Sequence, residues 1–271
     1  LLPREEWPAA VRQHFQVLLA GAPGTVELVD ALSGSFAEAR SYLKVRLQPS
    51  DYAGAGVVIV SEPVADDLIS VLVYDLPESV ATVHPDHVAS WGVPLHDLFQ
   101  LGLRNVRAEG LLTPERIELG DGAWLAHYED HANYFGSAHA LLLHEYFNPM
   151  PDLGILVSVP NRHGMVVHAM DDLSVIKTSL HAMLYFTPQL YQQGPGSITQ
   201  SLYWCRHGVF TRLPYEVAPD GSVSFTPPDS FFDQVLERIE AEDLTPLGLA
   251  DLVKARERHW LAALGAMKAV G

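Results

Sequence analysis

The residues of this chain that could do chemistry are mainly histidines, and the most suggestive lie in the tripeptide Arg-His-Gly, at residues 162–164 and again at residues 206–208. A histidine can act as a nucleophile or a general base, and a neighbouring arginine can hold a phosphate through paired N–H donors. The first copy follows Asn161 at the end of an apolar segment, where polar groups on a rigid support often do chemistry. These residues indicate a hydrolase or a phosphoryl-transfer enzyme with its site around Asn161. The candidate catalytic residues are Arg162, His163, His139 and His144.

A tight turn between two strands accounts for the same tripeptide without any chemistry. In the histidine phosphatase superfamily, the tripeptide opens the fold and leads through a loop into a helix. Here both copies lie well inside the chain, and a strand pattern resumes directly after Gly164 and after Gly208. We therefore expect a hairpin turn at each copy, with the glycine in a left-handed conformation.

Other motif searches disfavour several classes of active site. No glycine-rich phosphate loop and no G-x-S-x-G elbow is present, so we predict no cofactor and no esterase-type serine. Cys205 is the only cysteine, which excludes an internal disulfide and a thiolate metal cage, and we expect it to be core packing. His127 and His131 have the spacing of a helical metal pair, but their segment has the pattern of a strand. We therefore predict no metal site.

Acidic residues dominate the charge of the chain. The formal net charge is -16, and residues 62–130 carry 13 acidic residues against three arginines. Binding to nucleic acid or to an anionic membrane needs clustered lysines and arginines, so both are disfavoured, whereas a basic protein partner would be attracted. The candidate binding residues are Asp66, Asp67, Glu78 and Asp86 on the acidic surface, and Asn161 and Arg162 at the first tripeptide.

The bulk composition predicts a globular protein. A hydrophobic fraction of 48% over 271 residues is enough for a core of ordinary size. No apolar run approaches the ~20 residues that a membrane helix needs, and the amino terminus lacks the pattern of a signal peptide. A single cysteine is typical of a reducing compartment, so we predict a cytoplasmic location.

The leading hypothesis is a non-catalytic protein that binds or regulates a basic partner through its acidic surface, with an immunity-like role as one version. The absence of a complete catalytic constellation favours it over the alternative, the enzyme with a site around Asn161, Arg162 and His163. A structural subunit of a homo-oligomer is a third hypothesis. The sequence leaves the oligomeric state open.

The candidate residues lie on predicted hairpins with interspersed helices. This arrangement of elements predicts an α+β fold with a mixed or antiparallel sheet. We expect one domain over residues 1–271, made of two lobes with a soft division near residues 111–114. Strands are predicted at residues 25–29, 42–47, 57–60, 68–74, 80–83, 115–119, 123–128, 154–159, 165–170, 202–205 and 209–213. Helices are predicted at residues 7–18, 85–91, 94–106, 134–147, 173–186, 231–240 and 246–267.

Two passages of the chain follow an order of motifs found together in one protein family. The segments that carry it are 72–76, 83–93, 98–106, 133–138 and 157–162, with Trp91-Gly92-Val93 and Pro160-Asn161-Arg162 as the clearest motifs. Over residues 72–170 this succession resembles the YtpQ-like family of uncharacterised bacterial proteins, although Gly102 stands where an alanine is expected. The resemblance implies a cytoplasmic bacterial protein and supplies no reaction, so it assigns no catalytic residue.

Overall fold

The computed structural model of this chain describes residues 24–55, 58–77, 79–194, 196–218 and 223–238. The fold is α+β, as the hairpins and interspersed helices predict, and the chain divides into two compact units. Unit 1 comprises Leu1–Val45, Ala53–Ser61 and Val71–Ala108, while unit 2 comprises Arg46–Tyr52, Glu62–Ser70 and Glu109–Gly271. The last passage from unit 1 to unit 2 follows Ala108, a few residues before the expected division.

Among the described residues up to Ala108, the chain forms four α-helices and a small sheet of four strands, in the order β1-β3-β2 with β4 paired to β3. A 3-10 helix at Ser50–Ala55 follows the first strand. The elements are α1 (residues 24–34), α2 (Phe36–Ala39), β1 (Leu43–Pro49), β2 (Ser61–Ala65), β3 (Leu68–Leu76), β4 (Ser79–Thr82), α3 (Pro85–Trp91) and α4 (Leu95–Ala108).

Close packing of α4 on β1 accounts for the glycine at position 102. A Cβ atom built on Gly102 would lie 3.0 Å from the carbonyl carbon of Lys44 and 3.1 Å from a methyl group of Val45. An alanine would therefore force the strand and the helix apart. On the same strand, the Lys44 ammonium lies 2.6 Å from the carboxylate of Asp75, which compensates a cation that is 5% exposed.

Unit 2 is built on a six-stranded sheet in the order β10-β9-β7-β8-β6-β5, in which every neighbouring pair is antiparallel. Two 3-10 helices lie at Gly136–Leu142 and Leu236–Arg238, and a two-stranded ribbon is formed by β11 and β12. The elements are β5 (Pro114–Gly120), β6 (Ala123–Glu129), α5 (Leu143–Tyr146), β7 (Ile155–Ser158), β8 (Gly164–Ala169), α6 (Leu173–Gln193), β9 (Leu202–Arg206), β10 (Val209–Leu213), β11 (Tyr215–Val217), β12 (Val223–Phe225) and α7 (Asp229–Gln234).

The two central strands, β7 and β8, are buried on both faces, which is why their sequences are continuously apolar. Alternate residues of these strands point to opposite faces of the sheet. Leu156 belongs to the cluster that packs against α6, whereas Ile155 and Val157 belong to the cluster on the other face. Burial of apolar area from both sides holds these strands rigid, and so fixes the ends from which the turn at residues 159–163 projects.

Helix α6 covers one face of this sheet and is longer than its sequence predicts. Its N-cap is Asp172, whose carboxylate accepts from the Ser174 backbone N–H at 2.9 Å. The prediction that the helix ends before Pro188 is wrong, since it continues to Gln193. Burial of Phe186 and Leu190 on either side of the proline offsets the backbone hydrogen bond that proline cannot donate.

The long α-helix predicted at residues 134–147 is also wrong. The segment forms the 3-10 helix Gly136–Leu142 followed by the single turn α5. Its first residues are bound to another part of the chain, because the backbone N–H of Ser137 donates to the carbonyl of Arg162 at 3.1 Å. This hydrogen bond to a distant part of the chain therefore determines the backbone conformation, although the apolar pattern alone favours an α-helix.

Two strand predictions in the first part of the chain are wrong as well. Residues 25–29 lie in helix α1, where Leu28 and Leu32 recur at helical spacing and Leu32 is 2% exposed. The strand expected at residues 57–60 begins later, at Ser61. Residues 58–60 have no regular secondary structure.

The remaining hairpin predictions are confirmed within the described residues. Strands β5 and β6 pair around the Asp121-Gly122 turn, and β9 and β10 pair around His207-Gly208, with positive φ at both residues of each turn. The predicted helices at residues 7–18 and 246–267 lie outside the described residues, as does the end of the one predicted at 231–240. In the described ranges, no helix is long and apolar enough to cross a membrane.

Replacing Gly136 by alanine should destabilise the protein by about 2 kcal/mol or more, because the added methyl has no room. A Cβ there would lie 1.9 Å from the carbonyl oxygen of His163, which is backbone and cannot rotate away. Gly34→Ala is the matched control, since nothing lies within 4 Å of a Cβ at that position. Urea denaturation of both variants measures the difference. Equal stability of the two variants would contradict the close approach.

Candidate functional site

The turn between β7 and β8 holds the three residues that the first Arg-His-Gly tripeptide makes candidates. Asn161 and His163 are each 2% exposed, while Arg162 is half-buried. The Asn161 side-chain oxygen accepts from the backbone N–H of His163 at 2.9 Å, which closes the turn locally. Asn161 also forms an isolated β-bridge with Ser197, so a second segment of the chain holds the turn from outside.

Four glycines allow other parts of the chain to approach this turn closely. A Cβ built on Gly136 or Gly164 would collide with backbone atoms, namely the carbonyl oxygen of His163 at 1.9 Å or that of Tyr128 at 2.0 Å. A Cβ on Gly194 would collide with the Asn161 amide, and one on Gly196 would lie 2.7 Å from Cδ of Arg162. Close packing on all sides therefore fixes the backbone and the base of the Arg162 side chain.

One expectation about this turn is wrong. Gly164 has no positive φ, so it does not occupy the left-handed position that its tripeptide predicts. It is glycine because β6 passes so close that a side chain would strike the carbonyl of Tyr128. Gly208, in the second copy, does have the left-handed conformation, with φ of 79°.

His163 has a defined tautomer because each ring nitrogen faces one kind of partner. Its Nε2 accepts from the Arg162 Nε–H at 3.0 Å, so that nitrogen carries no proton. Its Nδ1 lies 3.1 Å from the carbonyl of Asn133 and 3.3 Å from that of Asp130, so the proton must be there. Burial lowers the pKa of His163, and the positive charge of Arg162 lowers it further. The imidazole is therefore neutral and already engaged at both nitrogens, as a side chain that positions Arg162 would be.

The guanidinium of Arg162 is held on its second side by an aromatic ring. Its Cζ atom lies 4.7 Å from the centroid of Tyr134, a residue that is 49% exposed. No described residue forms a salt bridge with Arg162, and its terminal nitrogens donate to none of them. The side chain is thus oriented by His163 and Tyr134, and its charge is not neutralised within the described part of the chain.

The other two candidate catalytic histidines are placed elsewhere in the fold. His139 is fully buried, and its Nδ1 lies 2.6 Å from the hydroxyl of Tyr146, which also accepts from the Leu112 backbone N–H. The side chain of His144 is 66% exposed, and its nearest acid is Glu145 at 3.9 Å. The structure brings Asn161, Arg162 and His163 together, without His139 or His144.

The four candidate acids differ in their surroundings. Asp67 has internal partners, since its carboxylate accepts from Tyr203 at 2.8 Å and from Ser201 at 2.5 Å, and lies 3.4 Å from Arg212. Asp66 precedes Asp67 in the same turn and is exposed. Asp86 is exposed in the first turn of α3, within unit 1, and Glu78 lies outside the described residues.

Cysteine and metal chemistry find no support in the described residues. Burial raises the pKa of Cys205 to about 11, which makes the thiol inert at neutral pH. No group of three or more His, Cys, Asp or Glu side chains among those residues could hold a metal ion. His127 lies on strand β6 and shares Glu129 with His131, at 3.9 and 3.5 Å.

Sequence patterns do not predict the surroundings of two side chains, Tyr134 and Arg46. From its sequence, Tyr134 is expected in the core or at its rim. In the structure, the Arg162 guanidinium stacks on its ring. Arg46, on β1, alternates with apolar residues and so has the pattern of a solvated strand face. In the structure its Nε atom is fully buried and has no hydrogen-bond partner among the described residues. The alternation of Lys44 and Arg46 is the only local signal, and it does not distinguish a covered face from an open one.

Comparison with known proteins adds no family to this description. No protein-family model, no curated protein and no solved structure matches the chain. The resemblance to the YtpQ-like family therefore stays a prediction.

His163 should be neutral at pH 7, protonated on Nδ1, with a pKa below the unperturbed value of about 6.5. Long-range proton–nitrogen spectra of the imidazole report the tautomer and the titration directly. Arg162→Gln should raise the pKa of His163, because it removes both the neighbouring positive charge and the hydrogen bond to Nε2. A proton on Nε2 in the unmodified protein, or a pKa that does not respond to the substitution, would show that the two side chains are not coupled.

Asp67→Ala should destabilise the protein by about 2 kcal/mol, because it leaves the hydroxyls of Ser201 and Tyr203 without their charged acceptor. The neighbouring substitution Asp66→Ala is the matched control and should change the free energy of unfolding by less than about 0.5 kcal/mol, since Asp66 is exposed. Chemical denaturation measures both. Equal effects at the two positions would mean that the Asp67 network adds nothing to stability.

Proposed function

We propose that this chain is a non-catalytic binding domain that captures an anionic group of its ligand at Arg162. The observation that carries the proposal is the environment of that guanidinium. Its Nε–H is bound to His163 at 3.0 Å, its face lies on Tyr134 at 4.7 Å, and no carboxylate of a described residue pairs with it.

Orientation before binding is what makes Arg162 a good receptor. An arginine on an open surface must give up rotamer freedom when it binds, which costs affinity. Here the close packing of Gly196 on its Cδ atom, the hydrogen bond to His163 and the ring of Tyr134 already restrict the side chain. The two terminal nitrogens present the planar fork that matches an oxyanion.

Binding is favoured over catalysis because the imidazole that is hydrogen-bonded to Arg162 is already engaged at both ring nitrogens. His163 is the obvious candidate, but its Nε2 accepts from Arg162 and its Nδ1 faces two backbone carbonyls. A general base needs a nitrogen that can take a proton from the substrate. Protonating His163 would instead break the hydrogen bond that orients the guanidinium.

The acidic charge of the chain supports a second proposal, a basic protein partner. The net charge of -16 and the exposed carboxylates of Asp66 and Asp86 favour the approach of a basic protein partner. Asp67 contributes less to this attraction, because its carboxylate accepts from Ser201 and Tyr203 and is paired with the Arg212 guanidinium. The cytoplasmic bacterial setting remains what the single cysteine and the family resemblance predict.

Titration with small anions tests the Arg162 proposal. Inorganic phosphate should shift the backbone amide signals of Arg162 and its neighbours, and Arg162→Gln should weaken that binding about tenfold or more. Arg116→Gln is the matched control. Arg116 also stacks on an aromatic ring, Trp124 at 4.5 Å, but it pairs with the carboxylate of Glu118. An equal loss in both variants, or no binding to the unmodified protein, would contradict the proposal.

A further inference from the structure

Two partly exposed aromatic rings flank the imidazole that orients Arg162. Tyr134, whose ring lies 4.7 Å from Cζ of Arg162, is 49% exposed. The side chain of His131 is 59% exposed. Both rings contact the imidazole of His163, with centroid distances of 5.8 Å for Tyr134 and 5.7 Å for His131. We call Tyr134 and His131 the aromatic rim of the Arg162 site.

Hydrogen bonds tie the segment that carries the aromatic rim to His163. The backbone N–H of Asp130 donates to the carbonyl of His163 at 3.1 Å, and the carbonyl of Asn133 lies 3.1 Å from Nδ1 of the same residue. Within the segment, the Asp130 carboxylate accepts from the Ala132 N–H at 2.9 Å, and the Asn133 side-chain oxygen accepts from the Phe135 N–H at 2.7 Å. The backbone that carries the rim is therefore held before any ligand binds, which lowers the entropic cost of binding.

The free part of the Arg162 guanidinium matches a carboxylate. Its Nε–H is bound to His163 at 3.0 Å, so the two terminal nitrogens are the donors left for a ligand. A carboxylate accepts from such a pair with its two oxygens and lies in the plane of the guanidinium. It also brings one negative charge to one positive charge, since the imidazole of His163 is neutral. A singly charged acid thus matches this fork in both geometry and charge.

The surroundings of the aromatic rim disfavour a ligand with a second negative charge. The carboxylate of Glu129 lies 3.5 Å from Nε2 of His131, so an acidic group is already present at the rim. The whole chain has a net charge of -16, which repels dianions and polyanions more strongly than monoanions. The part of the ligand that reaches the rim should therefore be uncharged.

We propose that Arg162 and the aromatic rim bind a small aromatic monocarboxylate, whose carboxylate pairs with the guanidinium and whose ring packs against Tyr134 and His131. This inference rests on the proposed function and names its ligand class. Packing a ligand ring on the rim removes exposed apolar area from water, and offset or edge-to-face contacts between rings add to the affinity. An aliphatic acid of the same charge lacks these ring contacts.

The test is a calorimetric titration of the full chain with four anions at physiological salt: benzoate, cyclohexanecarboxylate, acetate and phenyl phosphate. We expect benzoate to bind about tenfold more tightly than acetate, because acetate makes no contact with the rim. Benzoate should also bind about threefold or more tightly than cyclohexanecarboxylate, which has a ring but no aromatic face, and than phenyl phosphate, which has the aromatic ring but more negative charge.

Variants of the rim should change the ratio of benzoate affinity to acetate affinity. Tyr134→Ala should reduce this ratio to about twofold or less, whereas Tyr134→Phe should keep it because the ring remains. The ratio is the readout because Tyr134 also restricts Arg162, so its loss weakens both acids. His131→Ala should reduce the ratio about twofold to threefold. The matched control is His144→Ala, which removes an imidazole of similar exposure and should leave the ratio unchanged.

The unmodified protein offers a measurement that does not depend on any variant. Ring protons of bound benzoate should show nuclear Overhauser contacts to the ring protons of Tyr134 and His131. If these contacts are missing at saturating benzoate, the ligand ring does not pack on the rim and the inference is wrong.

The outcomes separate this inference from the proposed function. If Arg162→Gln abolishes binding of both acids while benzoate and acetate bind the unmodified chain equally, the aromatic class is wrong and the Arg162 proposal stands. Cyclohexanecarboxylate or phenyl phosphate binding as tightly as benzoate overturns the aromatic monocarboxylate in the same way. If benzoate binds Arg162→Gln as tightly as the unmodified chain, or if no anion binds the unmodified chain, both proposals fail together.

Discussion

Close approach of backbone to backbone at the turn after β7 is the constraint on which the rest of the site depends. Gly136 and Gly164 let two other segments come within a distance that no side chain would permit. This contact diverts the segment at residues 136–142 into a 3-10 helix, places Ser137 on the carbonyl of Arg162, and buries His163. Because both central strands are buried on both faces, the turn cannot relax by moving the sheet.

The charged side chains of this fold differ in how their charges are compensated. Asp67 and Lys44 are each matched by internal partners, so their charges stabilise the fold and are not free for a ligand. Arg162 is different, since its nearest partners are a neutral imidazole and an aromatic ring. These partners fix orientation without neutralising the charge. That arrangement is the basis of the proposal that Arg162 binds an anion, because an already oriented side chain loses little conformational freedom on binding.

The sequence located the turn that holds Asn161, Arg162 and His163, and the structure adds the partners of each side chain. The Arg-His-Gly tripeptide pointed to a nucleophilic histidine, whereas the structure engages both ring nitrogens of His163 in hydrogen bonds. His139 and His144 were candidates because they lie near the tripeptide in the chain. In the fold, His139 is bound to Tyr146 and His144 lies near Glu145. Arg46 had no signal beyond strand alternation, because distance along the chain carries no information on which strand face becomes covered.

Local patterns determined the α+β class, the β5–β6 and β9–β10 hairpins, the apolar central strands and helix α4, because each depends on residues close together in the chain. Only the tertiary structure decided that α6 continues through Pro188 and that residues 136–142 depart from an α-helix, since burial and long-range hydrogen bonds override local preference there. It also decided which side chains meet at the turn after β7. Whether a charged side chain finds a counter-ion inside the fold depends on which segments converge on it, and that convergence is a property of the packed fold.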